Sequence, residues 1–347
     1  MFSKQNAICY SFKEVSVANI RQVAKAAGVS PATVSRVLSG DPGFNVKEET
    51  RIKIMEAVAE LKYEFPIREP DQYRFGCVLA YTTDKYADPF FMEILESMER
   101  ECRKYNATIA VTKSYKELET PKILQEFLGA DLDGVFLMEH VSPEVMTVLK
   151  THVKKIIFID NDEPEYFFNN VGFDHTTANW QAMSALIDRG YKRIALISGS
   201  SPGMPLSDTI RLVTYRETLR RAGIKYDKKL IKDCGWDMEL CKKQTEELMA
   251  MEEPPDAIFA GSDSLASVVL GTLYAMGKRC PRDVGVIGFN NIDLSSHMVP
   301  PLTTIEVPTT DIGKAAVERM IQIITTKDKS IRRILFPTEL IERKSLR

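Results

Sequence analysis

From residue 75 onward, short apolar runs alternate with longer amphipathic stretches, and this alternation restricts the fold more than any other feature of the sequence. The apolar runs have the length of buried strands, and the stretches 90–105 and 176–189 have helical spacing. Strands joined by helices run parallel and are covered by helices, so the pattern predicts an α/β fold. The predicted strands are 75–81, 108–111, 134–138, 155–160, 193–198, 257–260 and 284–289.

This region is long for a single sheet, because its length of roughly 270 residues exceeds that of most domains. We therefore expect two similar lobes with a cleft between them. Ligands of parallel sheets bind at the carboxyl ends of the strands, so the cleft is the expected binding site. A strand-like run at 334–341 comes shortly before Arg347, with no leucine heptads, so a tetramer held by a terminal coiled coil is not expected.

Residues 20–63 have a different pattern, in which three short blocks carry apolar residues at helical spacing. The first block ends at Gly28, where a left-handed backbone would stop a helix. The second begins with Ser30 as the predicted N-cap and Pro31 at the first helical position. The third follows a loop at 39–43 and has its apolar residues on one face. That face consists of Ile52, Met55 and Ala59.

The segments around these blocks give the expected boundaries. Residues 64–74 contain two prolines and lose all periodicity, so they are predicted to be a linker. Residues 1–16 also lack periodicity. Lys13-Glu14-Val15 can be encoded by a ribosome-binding sequence, with Val17 as the start. We therefore interpret 1–16 as a mis-annotated leader, 17–63 as a helical headpiece and 75–347 as the two-lobed domain.

Composition excludes several classes of protein. With 44% hydrophobic and 27% charged residues, the chain has the composition of a globular protein. No apolar run approaches the roughly 18 residues that cross a membrane, and no signal peptide is visible, so we expect a cytoplasmic protein without a membrane partner. The six cysteines form no CxxC pair and the four histidines are dispersed, so neither a metal site nor a cofactor is expected.

The second helical block has the properties of a helix that reads DNA, because a helix after a tight glycine turn can lie in the major groove. Residues 19–53 carry six basic and three acidic side chains, a local excess of +3. The side chains expected to reach base edges are Pro31, Ala32 and Arg36, and those expected to bond phosphates are Ser30, Thr33 and Ser35. The alternative is a small helical bundle with an exposed arginine.

The segment 23–38, VAKAAGVSPATVSRVL, closely resembles the DNA-binding headpiece of the lactose-repressor (LacI/GalR) family of bacterial transcription regulators. The resemblance continues through 49–51 and through the later strings LA at 265–266, VIGF at 286–289 and PPLTT at 300–304. It implies a three-helix helix-turn-helix headpiece and a periplasmic-binding-protein-like, two-lobed α/β effector domain. It also implies a homodimer that represses transcription from double-stranded operator DNA and responds to a small molecule.

Within that family, the strings at 41–50, 262–264 and 289–291 are most similar to the branch that regulates galactoside utilisation. This similarity implies a repressor of a sugar-utilisation operon that is released by a small sugar, a galactoside. Two features depart from the family pattern. Residues 64–74 lack the usual hinge helix, which puts allosteric coupling through such a helix in doubt. Asn290 replaces an aspartate found in many relatives, which alters the expected hydroxyl preference.

The family pattern also indicates the residues that would bind the sugar, whose hydroxyls need converging polar partners. Arg211 is the expected hydroxyl donor, and Asp160 is the expected acceptor from the N-terminal lobe. Ser262, Asp263 and Asn290 follow strands of the other lobe and should face the same cleft, with Tyr81 and Phe90 as aromatic walls. The alternative for Asp160 and Asp263 is that they cap the turns that follow their strands.

Other functions have weaker support in the sequence. The spacing Gly-x-Ser-x-Gly at 199–203 would place a nucleophile at Ser201, but Pro202 disfavours the required elbow, and 271–278 lacks the spacing of a phosphate loop. We therefore do not expect an enzyme. Two alternatives stay open, namely a family member in which the ligand strengthens DNA binding and a sugar receptor that does not bind DNA.

Overall fold

The computed structural model describes residues 19–38, 44–61, 63, 72–79, 89–138, 141–161, 168–200 and 205–347. The chain forms two compact units, residues 1–72 and 73–347. The first unit contains helices α1 (Ile20–Ala27), α2 (Pro31–Leu38) and α3 (Glu48–Glu60). The predicted leader and all but the last three residues of the predicted linker lie outside the described residues.

The ends of α1 follow directly from its sequence. The Asn19 side chain accepts hydrogen bonds from the amides of Arg21 and Gln22, and Gln22 accepts one from the Asn19 amide, so the helix begins with a capping box. Gly28 ends the helix with a φ of +68°, as expected for a glycine at this position. The three helices then enclose one small apolar core. It consists of Val23, Ala24, Ala27, Val34, Val37, Ile54 and Ala57.

The predicted apolar face of α3 is wrong. Ile52 and Met55 are 50% and 53% exposed, and Ala59 is exposed too. The helix instead buries Ile54 and Ala57 against the other two helices. The spacing 54, 57, 58 and 61 is as helical as the spacing of the expected face, so the sequence contains two apolar faces. Only packing selects between them.

Parallel strands form most of the second unit. Along the chain these are β1 (Tyr73–Leu79), β2 (Ala107–Ser114), β3 (Gly134–Leu137), β4 (Ile156–Ile159), β5 (Asn169–Phe173), β6 (Ile194–Ser198), β7 (Ile231–Asp233), β8 (Ala257–Ala260), β9 (Gly285–Ile287), β10 (Thr304–Glu306), β11 (Arg333–Phe336) and β12 (Glu339–Ile341). One parallel sheet has the order β11-β5-β4-β3-β1-β2, and a second has the order β7-β6-β8-β9. An antiparallel pair, β10-β12, completes the second lobe.

Helices cover both sheets, as the alternating pattern predicts. They are α4 (Pro89–Cys102), α5 (Tyr115–Leu118), α6 (Pro121–Leu128), α7 (Pro143–His152), α8 (His175–Asp188), α9 (Ile210–Arg221), α10 (Met238–Met249), α11 (Asp263–Ala275) and α12 (Thr309–Thr326). The chain crosses between the lobes after β5, again between β10 and α12, and again between β11 and β12. Each lobe is therefore built from separate stretches of sequence.

All seven predicted strands form, with ends that differ by up to three residues. The predicted linker is too long by two residues, because Tyr73 and Arg74 already pair with β2. The run 334–341 is not one strand, since β11 extends the first sheet and β12 belongs to the second lobe. Within the described ranges, no helix has the length and apolar character that crossing a membrane requires.

Strand β5 was missed because its first two residues are asparagines, although both are buried. Asn170 donates from Nδ2 to the Asn161 carbonyl at 2.6 Å, and Asn169 Oδ1 accepts from Arg319 Nε at 2.8 Å. Buried amides are tolerated when they are hydrogen-bonded, but their polarity hides the strand from any pattern of hydropathy.

Candidate functional site

Helix α2 exposes the side chains that the sequence assigns to DNA. Ser30 Oγ accepts a hydrogen bond from the Thr33 amide at 3.1 Å, so the predicted N-cap is confirmed. Val34 and Val37 face the core, and this orientation turns the opposite side of the helix outward. Of the predicted contact residues, Ser30, Pro31, Ala32 and Arg36 are exposed, whereas Thr33 and Ser35 are half-buried.

Arg36 is held by an aromatic ring. Its guanidinium carbon lies 5.1 Å from the centre of the Phe44 ring. A guanidinium that rests on a ring loses less conformational freedom when it binds a base, so this contact prepares Arg36 for a bidentate bond to guanine. Phe44 was not identified from the sequence as a residue near the DNA surface.

At the carboxyl end of β4, Asp160 forms the first polar corner of the cleft between the lobes. Its backbone is left-handed, with a φ of +57°, and its Oδ1 forms a hydrogen bond with His175 Nε2 at 2.9 Å. The His175 ring stacks on Phe173 with centroids 4.0 Å apart. These contacts fix the orientation of the Asp160 carboxylate.

Arg211 forms the opposite corner. Its guanidinium carbon lies 4.4 Å from the centre of the Phe289 ring and 5.4 Å from the centre of the Phe259 ring, and Phe259 belongs to β8 of the second sheet. The centroids of Phe289 and Phe173 are 5.9 Å apart, so the two lobes touch through their aromatic side chains. The structure thus connects Asp160 with Arg211 through His175 and the two rings. An acidic and a basic corner joined by apolar rings suit a ligand with both hydroxyl groups and C–H faces.

Asp263 has a structural role, and the expectation of a direct ligand contact needs correction. The residue is fully buried at the start of α11. Its carboxylate accepts from the Thr304 hydroxyl at 2.6 Å and from the Ile292 amide at 2.9 Å, and its own amide donates to the Phe289 carbonyl at 2.8 Å. Asp263 therefore positions the loop after β9. The alternative interpretation, a carboxylate that caps a turn, is the one that fits.

Ser262 and Asn290 lie on either side of this buried carboxylate. Ser262 is buried, and its Oγ accepts from the Leu265 amide at 3.2 Å, so it caps α11. Asn290 is half-buried with a φ of +107°, and the φ of the following Asn291 is +54°. Arg343 donates to Asn291 Oδ1 at 2.7 Å and fixes this left-handed turn. Asn290 is thus presented by a rigid loop, whereas Ser262 serves mainly its helix.

Burial raises the pKa of Asp263 to about 7, although hydrogen bonds from Thr304, Ile292 and Phe289 and the charge of Arg343 oppose the shift. The unfolded chain releases this proton near its usual pKa of about 4, so stability due to this group is complete below pH 4 and is lost as the pH rises towards 7. The loss is on the order of 4 kcal/mol. We expect Asp263→Asn, whose amide mimics the protonated acid, to remove this dependence in urea titrations at pH 5 to 8.

The exposed Asp293→Asn variant is the control, and its stability should follow the pH dependence of the unmodified chain. If Asp263→Asn also keeps that pH dependence, the Asp263 carboxyl does not carry its proton into the neutral range.

Three residues of the cleft were missed by the sequence analysis, namely His175, Phe173 and Trp236. His175 follows the end of β5 by two residues, a position that could have identified it, but the histidines were considered only as metal ligands. Trp236 is 37% exposed with a φ of +61°, and its ring packs on Gly199 at the carboxyl end of β6. A bulky residue in this conformation is rare and is concentrated at functional sites.

The remaining candidates are resolved by their positions. Phe90 is 4% exposed and packs in the core of the first lobe, so it is not an aromatic wall of the cleft. Tyr81 and the serine of the Gly-x-Ser-x-Gly spacing, Ser201, lie outside the described residues. Among the side chains that are described, no three His, Cys, Asp or Glu residues are grouped so that they could hold a metal ion.

Comparison with protein families divides the chain in the same way as its structure. Residues 19–64 match the family described as bacterial regulatory proteins, lacI family. Residues 183–346 match a periplasmic binding protein-like domain.

Curated relatives match along nearly their whole length. The HTH-type transcriptional repressor CytR of Escherichia coli strain K12 is 29% identical over 339 residues, which cover 96% of this chain and 98% of the relative. Catabolite control protein A of Priestia megaterium is 29% identical over 322 residues, covering 90% and 95%. These relatives are named as regulators and not as enzymes.

Solved structures give the same architecture. A complex of the transcriptional regulator CelR with cellobiose has a TM-score of 0.72 at 27% identity and covers 94% of this chain and 99% of that one. The lac repressor dimer bound to operator and the anti-inducer ONPF has a TM-score of 0.69 at 22% identity and covers 95% and 99%. At this lower identity the second match shows the fold alone.

Proposed function

We propose that this chain is a transcriptional repressor of the LacI family and that it binds operator DNA through α2. The observation that carries the proposal is the match of residues 19–64, which includes the exposed helix with Ser30, Pro31, Ala32 and Arg36. We propose further that Thr33 and Ser35 bond phosphates. Selection of binding sites from random duplexes, followed by titration of the selected site, tests this function. Equal affinity for selected and random duplex would contradict it.

We propose that two chains bind one operator with half-sites in fixed register. The second unit exposes apolar side chains that a partner chain could cover, such as Tyr274 on α11 at 85% and Val299 at 90% exposure. Analytical ultracentrifugation of the complex should give two chains per selected duplex. One chain per duplex at saturation would contradict the dimer.

We expect Arg36→Ala to relax base preference at one position of each half-site, with a loss of about 1–3 kcal/mol of discrimination there. The reason is that a guanidinium held on Phe44 can form two bonds to a guanine edge. Binding-site selection with the variant measures this change. As a control, Lys25→Ala on α1 should lower the affinity for selected and random duplexes equally, because a lysine contacts phosphate as a point charge. An unchanged motif with Arg36→Ala would remove Arg36 from base readout.

The second proposed site is the cleft, which would bind a small sugar between Asp160 and Arg211, with Asn290 and Ser262 beside them. Support comes from the acidic and basic corners and from the rings of Phe173 and Phe289 between them. The CelR complex contains cellobiose, and a regulator from Enterococcus faecium with 23% identity contains ribose. A sugar that contacts both lobes would favour one arrangement of the lobes and thereby change DNA affinity.

We propose a galactoside as this sugar, on the strings at 41–50, 262–264 and 289–291. A thermal-shift screen of galactosides, other sugars, nucleosides and purines identifies the effector, since a ligand that binds the native state raises the melting temperature. Each ligand found is then titrated against the operator complex. Release by a galactoside supports the proposal, whereas tightening of the complex by any ligand supports the corepressor alternative.

A further inference from the structure

A second concave site lies on the first lobe, at the end of the strands opposite to the effector cleft. It is a hollow of about 510 Å³ at the amino ends of β4 and β5, bounded by the ends of α7 and α12 and by the turn between α12 and β11. The cleft is at the carboxyl ends of the strands, so the two sites share no residue. We call this site the lysine hollow. Its basic residues are Lys150, Lys154, Lys155, Lys327 and Lys329.

The charges around the lysine hollow are unbalanced. Among the residues the structure describes, no carboxylate lies within ion-pair distance of the five ammonium groups. Among the described residues of the lining the one carboxylate is Asp328, which is already bound by Arg319 at 2.6 Å and by Arg332 at 3.2 Å. Hydrogen bonds from Arg319 and from the amide and hydroxyl of Ser330 hold the pKa of Asp328 far below its usual value, so this carboxylate is already compensated. The hollow therefore has a strong excess of positive charge.

Helix dipoles account for only part of this arrangement. Lysines are favoured at the carbonyl ends of helices, and α7 and α12 both end here. That effect explains a lysine at each helix end, but it does not explain why five lysines from the two segments 150–155 and 327–329 converge on one hollow, where they repel one another. An anion would relieve this repulsion and bond several ammonium groups at once.

The floor of the hollow is apolar and includes Val153, Ile156, Phe168, Ile323 and Ile324. Lys150 Nζ lies 4.9 Å from the centre of the Phe168 ring, so one ammonium group rests on this floor. The volume is in the range of small-molecule sites and is too small to admit a duplex. A phosphodiester backbone would also leave the apolar floor uncovered.

We propose that the lysine hollow binds a small molecule that carries two or more phosphate groups and an apolar part. The phosphates bond the ammonium groups from both helix ends, and the apolar part covers the floor. This site is separate from the sugar site and does not depend on it.

Isothermal titration of the intact chain tests the site, with inorganic pyrophosphate, ATP and adenosine as probes in about 50 mM salt, where surface charges are weakly screened. We expect one ATP per chain, tighter binding of ATP than of pyrophosphate because of the apolar floor, and no binding of adenosine. The double variant Lys154→Gln/Lys327→Gln removes one cation from each helix end and should lower the affinity for ATP at least about tenfold. Lys122→Gln/Lys242→Gln removes two exposed lysines elsewhere and should leave ATP binding unchanged.

Equal weakening in both double variants, or no ATP binding below about 1 mM, would overturn the proposal. The proposal would also be overturned if ATP did not bind but a hexaglutamate peptide or random duplex did, and if that binding required Lys154 and Lys327. The hollow would then bind a macromolecule. Operator affinity and sugar response of Lys154→Gln/Lys327→Gln should stay normal. If the variant lost operator affinity or sugar response, the hollow would not be a separate site. If the unmodified chain showed neither operator affinity nor sugar response, only the proposed repressor function would be contradicted.

Discussion

Replacing Arg319 by methionine should lower the free energy of unfolding of the second unit by about 3 kcal/mol. Arg319 is 2% exposed on α12 and bonds Asn169 Oδ1 at 2.8 Å, Gln322 Oε1 at 2.9 Å, the Asp328 carboxylate, and the carbonyl and hydroxyl of Ser330. It thereby ties α12 to β5 and to the turn before β11. Methionine fills most of the same volume but donates to none of these acceptors, so all of the hydrogen bonds of the guanidinium are lost.

Urea unfolding, followed by the fluorescence of Trp180 and Trp236, measures the loss, since both tryptophans lie in this unit. The melting temperature should fall on the order of 10 °C. The control is Arg100→Met, because Arg100 is exposed and its ion pair with Glu96 is a surface contact. That variant should change stability by less than about 0.5 kcal/mol. Equal losses in the two variants would show that the Arg319 network does not hold the lobe together.

The second large effect is expected from Arg211→Ala, which should lower the affinity for the effector about 10- to 100-fold and leave operator affinity unchanged. The guanidinium lies on Phe289 at the corner of the cleft, where it can donate charged hydrogen bonds to a ligand. Each such bond contributes about 1.5–3 kcal/mol. Operator affinity should survive because the helix-turn-helix belongs to the other compact unit.

A dose response of operator release measures this effect, with the ligand identified in the thermal-shift screen. Arg220→Ala is the matched control, since Arg220 lies on the same helix but is exposed and paired with Glu217. It should respond like the unmodified chain. A normal dose response of Arg211→Ala would exclude Arg211 from the site, and loss of operator binding would indicate that the substitution disturbs the fold.

The sequence predicted those elements whose signal is local. The seven expected strands are continuous apolar runs bounded by turns, and the caps of α1 and α2 depend on residues within four positions of each other. The headpiece residues that the resemblance assigned to DNA lie together for the same reason, because one short helix carries them. Asp160 and Arg211, which come from different lobes, were assigned to the sugar from the family pattern, and their role in binding stays a prediction.

The errors have a common physical origin, which is that burial depends on distant partners. Strand β5 is hidden by two asparagines whose hydrogen-bond partners, Arg319, the Arg332 amide and the Asn161 carbonyl, come from elsewhere in the chain. Asp263 resembles a ligand at a strand end, but Thr304 and Ile292 enclose it. His175 acquires its place in the cleft only when β4 brings Asp160 to it.

The sequence by itself determined the α/β class, the three-helix headpiece and the resemblance to the LacI family, since these follow from periodicity, capping and one short string of residues. The tertiary structure decided which face of α3 is buried, which polar side chains are structural and which rings connect Asp160 with Arg211. It also brought the five lysines together, from the two segments 150–155 and 327–329, which lie far apart in the chain. Local hydrogen bonds and apolar spacing depend on residues that are close in sequence, whereas contacts between distant residues form only when the chain packs into its tertiary structure.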